Sequence, residues 1–103
     1  MNQQPEWSEE KRQRNLAKHG LDFAQAHEVL ESRYRLDIGV VRSGEERVMS
    51  VSYAFGFLAV LTVVHTERDG GVRIISFRRA SREERETFDE WLQNEFDDGT
   101  DEA

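Results

Sequence analysis

The sequence predicts an α+β domain: an N-terminal helical hairpin, an antiparallel sheet of about four strands, and a closing C-terminal helix. Three observations carry this. Helix-capping residues stand ahead of charged, helix-period segments at both ends of the chain. Between them, four β-rich runs of strand length lie over Tyr34–Val41, Arg47–Tyr53, Phe57–Thr66 and Val72–Arg78. The breaks between these runs, Ser43-Gly44-Glu45, Ala54-Phe55-Gly56 and Arg68-Asp69-Gly70-Gly71, are short enough for hairpins.

Each element follows from local chemistry. Ser8 is the expected N-cap of a helix over Glu9–His19, with Glu9 and Glu10 in the first turn, where the helix dipole favours acids, and Gly20 at the C′ position. That helix is highly charged, so it is expected on the surface with a narrow apolar stripe. Asp22 followed by Gln25 resembles a capping box, and Phe23, Ala26, His27 and Leu30 then share one face of a second, short helix. On that pattern His27 packs in the core. The Phe57–Thr66 run is apolar on both faces and is expected to be a central strand covered from both sides. Ser81 and Glu84 form a second capping box, opening a helix whose face carries Phe88, Trp91 and Leu92 and which ends near Asn94 or Phe96. Residues 1–96 are therefore one domain, followed by an acidic, disordered tail over 97–103; the Trp91, Leu92 and Phe96 stripe either closes the core, the favoured reading, or forms an interface.

Composition excludes several functions. With no cysteine among 103 residues, disulfides, thiolate metal sites and a cysteine nucleophile are ruled out. The N-terminus lacks the basic and apolar segments of a signal peptide, and the longest apolar run is far short of a membrane span, so a cytoplasmic protein is expected. Net charge is −7, but residues 82–103 hold ten acids against two bases. The preceding 81 residues carry twelve bases and eleven acids, so they are nearly neutral and the acidity does not forbid nucleic acid there. No serine sits in a nucleophile elbow, no glycine loop resembles a P-loop, and His19, His27 and His65 lack the spacing of a metal site; no cofactor is expected.

What remains is a cluster of arginines on and around the last strand. Guanidinium forks bind phosphate bidentately. RNA phosphodiester cleavage needs no metal, only a base for the 2′-hydroxyl, an acid for the leaving oxygen and cations for the phosphate. Arg68, Arg73, Arg78 and Arg79 are candidate cations; His65, Glu67, His19 and Lys18 are candidate proton carriers. Strict alternation puts Arg73, Ile75, Phe77 and Arg79 on one face and Ile74, Ser76 and Arg78 on the other, which favours Arg73 and Arg79 as a pair unless a bulge intervenes.

Three ordered motifs resemble the BrnT family of bacterial type II toxins. They are Trp7, Lys11, Asn15, Lys18-His19-Gly20-Leu21-Asp22-Phe23 and Ala26; then Gly44-Glu45-Glu46-Arg47; then Thr66-Glu67-Arg68 with Arg73-Ile74-Ile75-Ser76, Arg78-Arg79-Ala80-Ser81 and Glu84-Arg85. The resemblance implies a RelE-like fold and a metal-free ribonuclease that inhibits translation. It also implies a cognate BrnA-like antitoxin with a ribbon-helix-helix domain, through which alone the toxin reaches operator DNA. Carried over by motif, the positions at stake are Lys18, His19, Glu67, Arg68, Arg73, Arg78 and Arg79; with His65, which the chain's own pattern places at the end of the central strand, the candidate catalytic residues are His65, Glu67, Arg68, Arg73 and Arg79, and the candidate RNA contacts Lys18, His19 and Arg78. Phe77 stands where the family usually has a small residue, raising the question of whether it stacks on RNA or obstructs it. The family's usual first strand is expected to be short or missing ahead of Trp7. The competing reading is a catalytically degenerate relative acting as an interaction or co-repressor module.

Overall fold

Four consecutive strands, β1 (Leu36–Arg42), β2 (Glu45–Ala54), β3 (Ala59–Arg68) and β4 (Gly71–Arg79), form an antiparallel meander in sequence order, so β2 and β3 are central and β1 and β4 are edges. The computed structural model describes residues 4–96; the side chains of Arg68 and Phe96, and the proposed acidic tail over 97–103, lie outside the described part. Two of the connections are two-residue turns in which both residues take positive φ: Ser43 (53°) with Gly44 (79°), and Asp69 (51°) with Gly70 (79°). That mirror-image turn matches the natural twist of the strands, which is why Asp-Gly serves here.

The helices are α1 (Glu9–His19), α2 (His27–Leu30) and α3 (Arg82–Phe96). Ser8 Oγ accepts from Lys11 N at 3.4 Å to open α1, and Gly20, at φ 72°, closes it with its N–H on the Leu16 carbonyl. The expected second helix is interrupted. A 3-10 turn, Phe23–Gln25, precedes the single turn of α2, and the buried residues are Phe23, Ala26 and Val29. That spacing of three is the 3-10 repeat, so the inward face rotates away from His27. His27 is therefore exposed, its Nδ1 3.2 Å from the Ala24 carbonyl oxygen, and not in the core as periodicity suggested.

Each sheet face carries its own core. On the first face Ala54, Leu61, Val63, Ile74 and Phe77 pack with Leu21, Phe23, Ala26 and Val29 from the N-terminal helical segment. On the second, Val51, Ala80 and Phe88 pack with Leu36, Ile38, Tyr53, Val60, Trp91 and Leu92, so α3 closes that core as its apolar face predicts. Leu61, Thr62 and Val63 of β3 are all fully buried, as expected of a strand covered on both sides.

One irregularity reorganises the last strand. The β3–β4 register steps from Val64↔Ser76 to His65↔Ile74, leaving Ile75 as a bulge residue with no partner. The bulge reverses the alternation, so Ile74 and Phe77 both enter the first core. Arg73, paired with Thr66, then shares the second face with Ser76 and Arg78, while Arg79, paired with Leu61, falls on the first. The expected common face for Arg73, Phe77 and Arg79 does not exist. Phe77 is wholly buried, edge-on to Phe57 at 6.2 Å, and neither stacks on nor obstructs anything at the surface.

Candidate functional site

The outer edge of β4 would expose unpaired backbone groups, a liability that folds must cover. Two devices cover it. Glu6 forms a single parallel bridge with Arg73, its N–H on the Val72 carbonyl at 2.8 Å and its carbonyl accepting from Ile74 N at 2.9 Å. Among the described residues, this bridge is all that stands for a first strand. Further along, the buried side chain of Asn15 takes the place of a strand: Nδ2 donates to the Phe77 carbonyl at 2.8 Å, and Oδ1 accepts from Phe77 N at 3.1 Å. The same Nδ2 donates to Leu21 O at 2.9 Å, tying the turn after α1 to the same point.

These ties run α1 alongside β4 in the same direction, with Glu6 opposite Arg73 and Asn15 opposite Phe77. The consequence is a seam. Lys11, Arg14, Asn15 and Lys18 line one wall of a notch of about 250 Å³, and Ile75 and Ser76 line the other. One residue beyond Lys18, His19 closes the helix half-buried, and its pKa lies below the usual histidine value because burial disfavours the charged form and the cations of Lys18 and Arg78 repel it. The fold thus places His19 within electrostatic reach of both Lys18 and Arg78.

Arg78 is braced. Its Nη1 and Nη2 reach Glu84 at 2.8 and 3.0 Å, Nη1 also meets the Arg79 carbonyl at 3.3 Å, and Nη2 lies 3.9 Å from Met49 Sδ. Glu84 also accepts from Ser81 N and from Thr62 Oγ1; the Arg78 bonds first, and then these two, hold its pKa down to about 2. The capping box that starts α3 is therefore the same carboxylate that fixes Arg78. Arg73 is looser, 3.7 Å from the exposed Glu6 carboxylate.

His65 and Glu67 lie elsewhere. Both belong by register to the first face, across the sheet from Arg73 and Arg78. His65 is fully buried; its Nε2 stands 2.8 Å from Ser50 Oγ, and Ser50 donates its own proton to Asp37 at 2.7 Å. Ser50 must therefore accept from a protonated Nε2, which leaves Nδ1 as a buried acceptor with no partner among the described residues. Glu67 is exposed beside it, and both line a cavity of about 240 Å³ with Arg35 and the Gly70-Gly71 turn. Arg68 ends β3. Arg79 is exposed, with no ion pair among the described residues.

Burial and the Arg35 cation keep His65 neutral below its ordinary pKa, with Asp37 and Glu67 opposing them. The unfolded chain therefore takes up a proton at His65 at higher pH than the folded one, and stability falls as pH drops below about 6.5. Melting temperatures of the wild type and His65→Gln between pH 7.5 and 5 check this: the wild type is expected to lose more on acidification than the variant.

A family model matches residues 7–84, described as the ribonuclease toxin BrnT of type II toxin–antitoxin systems. The chain belongs to the BrnT family. No curated protein matches it. Membership in this family implies an antitoxin partner and an RNA target. The matched span contains the whole α1–β4 seam and ends at Glu84, the residue that braces Arg78. Sequence reasoning missed the two features that build this site, the Asn15 clamp and the Ile75 bulge. The bulge did leave a signal, since two successive isoleucines interrupt the alternation of β4.

Among the described residues, no three histidine, aspartate or glutamate side chains converge as a metal site, and no helix is long and apolar enough to cross a membrane.

Proposed function

We propose that this chain is a metal-independent endoribonuclease acting at the end of the α1–β4 seam, with His19 as the base. The observation that carries this reading is the Asn15 clamp, which ties α1 to β4 and so holds His19 where burial, and then the Lys18 and Arg78 cations, keep it neutral near pH 7. A neutral imidazole can take the 2′-hydroxyl proton; the 2′-oxygen then attacks phosphorus and the 5′-oxygen leaves, giving a cyclic phosphate and a 5′-hydroxyl. Lys18 supplies the proton to that leaving oxygen, and Lys18 and Arg78 offset the phosphate's growing charge. Arg73 lies five residues back along β4, roughly 15 Å at the usual strand rise, so its part is to grip a flanking phosphate. His65, Glu67 and Arg79 face the other side and are given no contact with the reacting phosphate.

An RNA substrate puts the activity in the cytoplasm, where a ribbon-helix-helix antitoxin of the BrnA kind neutralises the toxin and provides its link to operator DNA. The co-repressor reading draws on one observation, the engagement of Arg78 by Glu84, which leaves that guanidinium few free donors. One assay separates the two. Purified chain incubated with single-stranded RNA in excess EDTA is expected to yield fragments with cyclic phosphate ends; a folded chain that leaves RNA intact with and without added divalent metal supports the co-repressor reading. Arg73→Ala should raise KM several-fold with little change in kcat, because it removes a grip remote from the reacting bond.

A further inference from the structure

The seam holds more positive charge than one phosphate requires. Lys11, Arg14 and Lys18 occupy the α1 wall of the notch, each exposed, at spacings of three and four residues that keep them on one stripe of the helix. Lys11 and Lys18 are separated by about 10 Å along the axis at 1.5 Å per residue. Their ion-pairing sets them apart from their neighbours. Arg12 is taken by Glu9 and Asp22, and Arg14 has Glu10 at 3.2 Å, yet neither lysine has an ion-pair partner among the described residues. In a chain whose acids outnumber its bases by 21 to 14, two lysines on one helix stripe, both facing a notch and both without an ion-pair partner among the described residues, stand out. The opposite wall adds the Ser76 hydroxyl and the half-buried Ile75 side chain, both presented by the bulge. Arg73 marks one end of the stripe and His19 with Arg78 the other.

We infer that the seam between α1 and β4 is a track for one RNA strand, with Lys11 and Lys18 each neutralising a backbone phosphate and Ile75 packing against a ribose or base between them. The track leads the strand from Arg73 to His19. This rests on the proposed ribonuclease site and adds to it Lys11, Ser76 and Ile75, together with the path that the substrate takes. Backbone contacts of this kind bind without regard to base sequence, so the track sets position along the strand and not the cleavage sequence.

The test uses a fluorescent, fully 2′-O-methylated single-stranded oligonucleotide, which lacks the attacking hydroxyl and is not cut. Its affinity is measured as a function of salt for the full chain and three variants. Each phosphate neutralised on a single strand contributes about 0.7 to the slope of log K against log salt. Lys11→Ala and Lys18→Ala are each expected to reduce that slope by about 0.7, and the double variant by about 1.4, with little dependence on oligonucleotide sequence. Arg42→Ala, an exposed cation at the end of the far edge strand, should leave the slope unchanged. A double variant that keeps the wild-type slope overturns the track, as does an Arg42 variant that loses as much as the lysine variants. Parallel cleavage of unmodified RNA by the wild type keeps the two ideas apart. Cleavage with an unaltered slope in the double variant sinks the track alone, whereas the expected slope changes without cleavage sink the ribonuclease site and leave a strand-binding seam.

Discussion

Glu84→Ala is expected to cost about 2–3 kcal/mol of stability, measured by urea unfolding at pH 7. The Glu84 carboxylate accepts from Arg78 twice, from Thr62 and from Ser81 N, so its loss removes a helix cap and leaves a partly buried guanidinium without its counter-ion. A pKa lowered from 4.5 to about 2 corresponds to about 3 kcal/mol, reduced somewhat because Arg78 retains contact with water. For a domain of this size that lowers Tm by roughly 10 °C or more. The sign with pH follows from the lowered pKa: the contribution is full above about 4.5 and disappears as pH falls towards 2. Glu84→Ala should therefore lose less stability than the wild type on going from pH 6 to pH 3. A variant that unfolds at the wild-type urea concentration would mean that Arg78 and α3 do not depend on this carboxylate.

Asn15→Asp is the second large effect. Asparagine suits its site because it donates to Leu21 O and Phe77 O and accepts from Phe77 N at once. An aspartate of the same shape keeps the acceptor and loses the donor, so two carbonyl oxygens would face a buried negative charge. Losing a hydrogen bond inside the fold leaves a desolvated group worth about 1–3 kcal/mol, and a buried charge adds to that. We expect a loss of about 3 kcal/mol or more, with Asn15→Ala close behind. Because the clamp supplies the hydrogen bonds that tie the middle of α1 to β4 among the described residues, even the fraction that stays folded should cleave RNA poorly. Circular dichroism and cleavage rates on one preparation check both parts; a folded Asn15→Asp chain with full activity would mean that α1 keeps its place without the clamp.

Much of the fold was legible because its signals are local. Caps at Ser8 and Ser81, the Gly20 terminator and the Arg68–Gly71 break specify their elements within four residues of themselves, and all four stand where the sequence suggests, the last with Asp69-Gly70 as its turn pair. The second helix was misread because Asp22 does cap, through Ala24 N at 2.9 Å, but the turn it starts has a period of three. That choice is made by the first core, which takes Phe23, Ala26 and Val29, and not by local propensity. Site residues were legible as types more than as an arrangement. Lys18, His19 and Arg78 were named as residue types, and the cations of Lys18 and Arg78 act on the His19 ring, whereas pairing Arg73 with Arg79 assumed a regular strand and one extra residue at Ile75 reversed it. Asn15 appeared only as a motif position, since nothing in a helix's own sequence reveals that a side chain 62 residues away in sequence from its partner will complete a sheet edge.

The central claim is that His19, held neutral beside Lys18 and Arg78, is the base of an RNA-cleaving site. Its most direct test is the pH dependence of single-stranded RNA cleavage, in EDTA, by the wild type and His19→Ala. The wild-type rate should rise through a midpoint below 6.5 and then level off, and the variant should be at least about 100-fold slower with that rise gone. A folded His19→Ala chain that cleaves at the wild-type rate with the same pH profile would contradict the account.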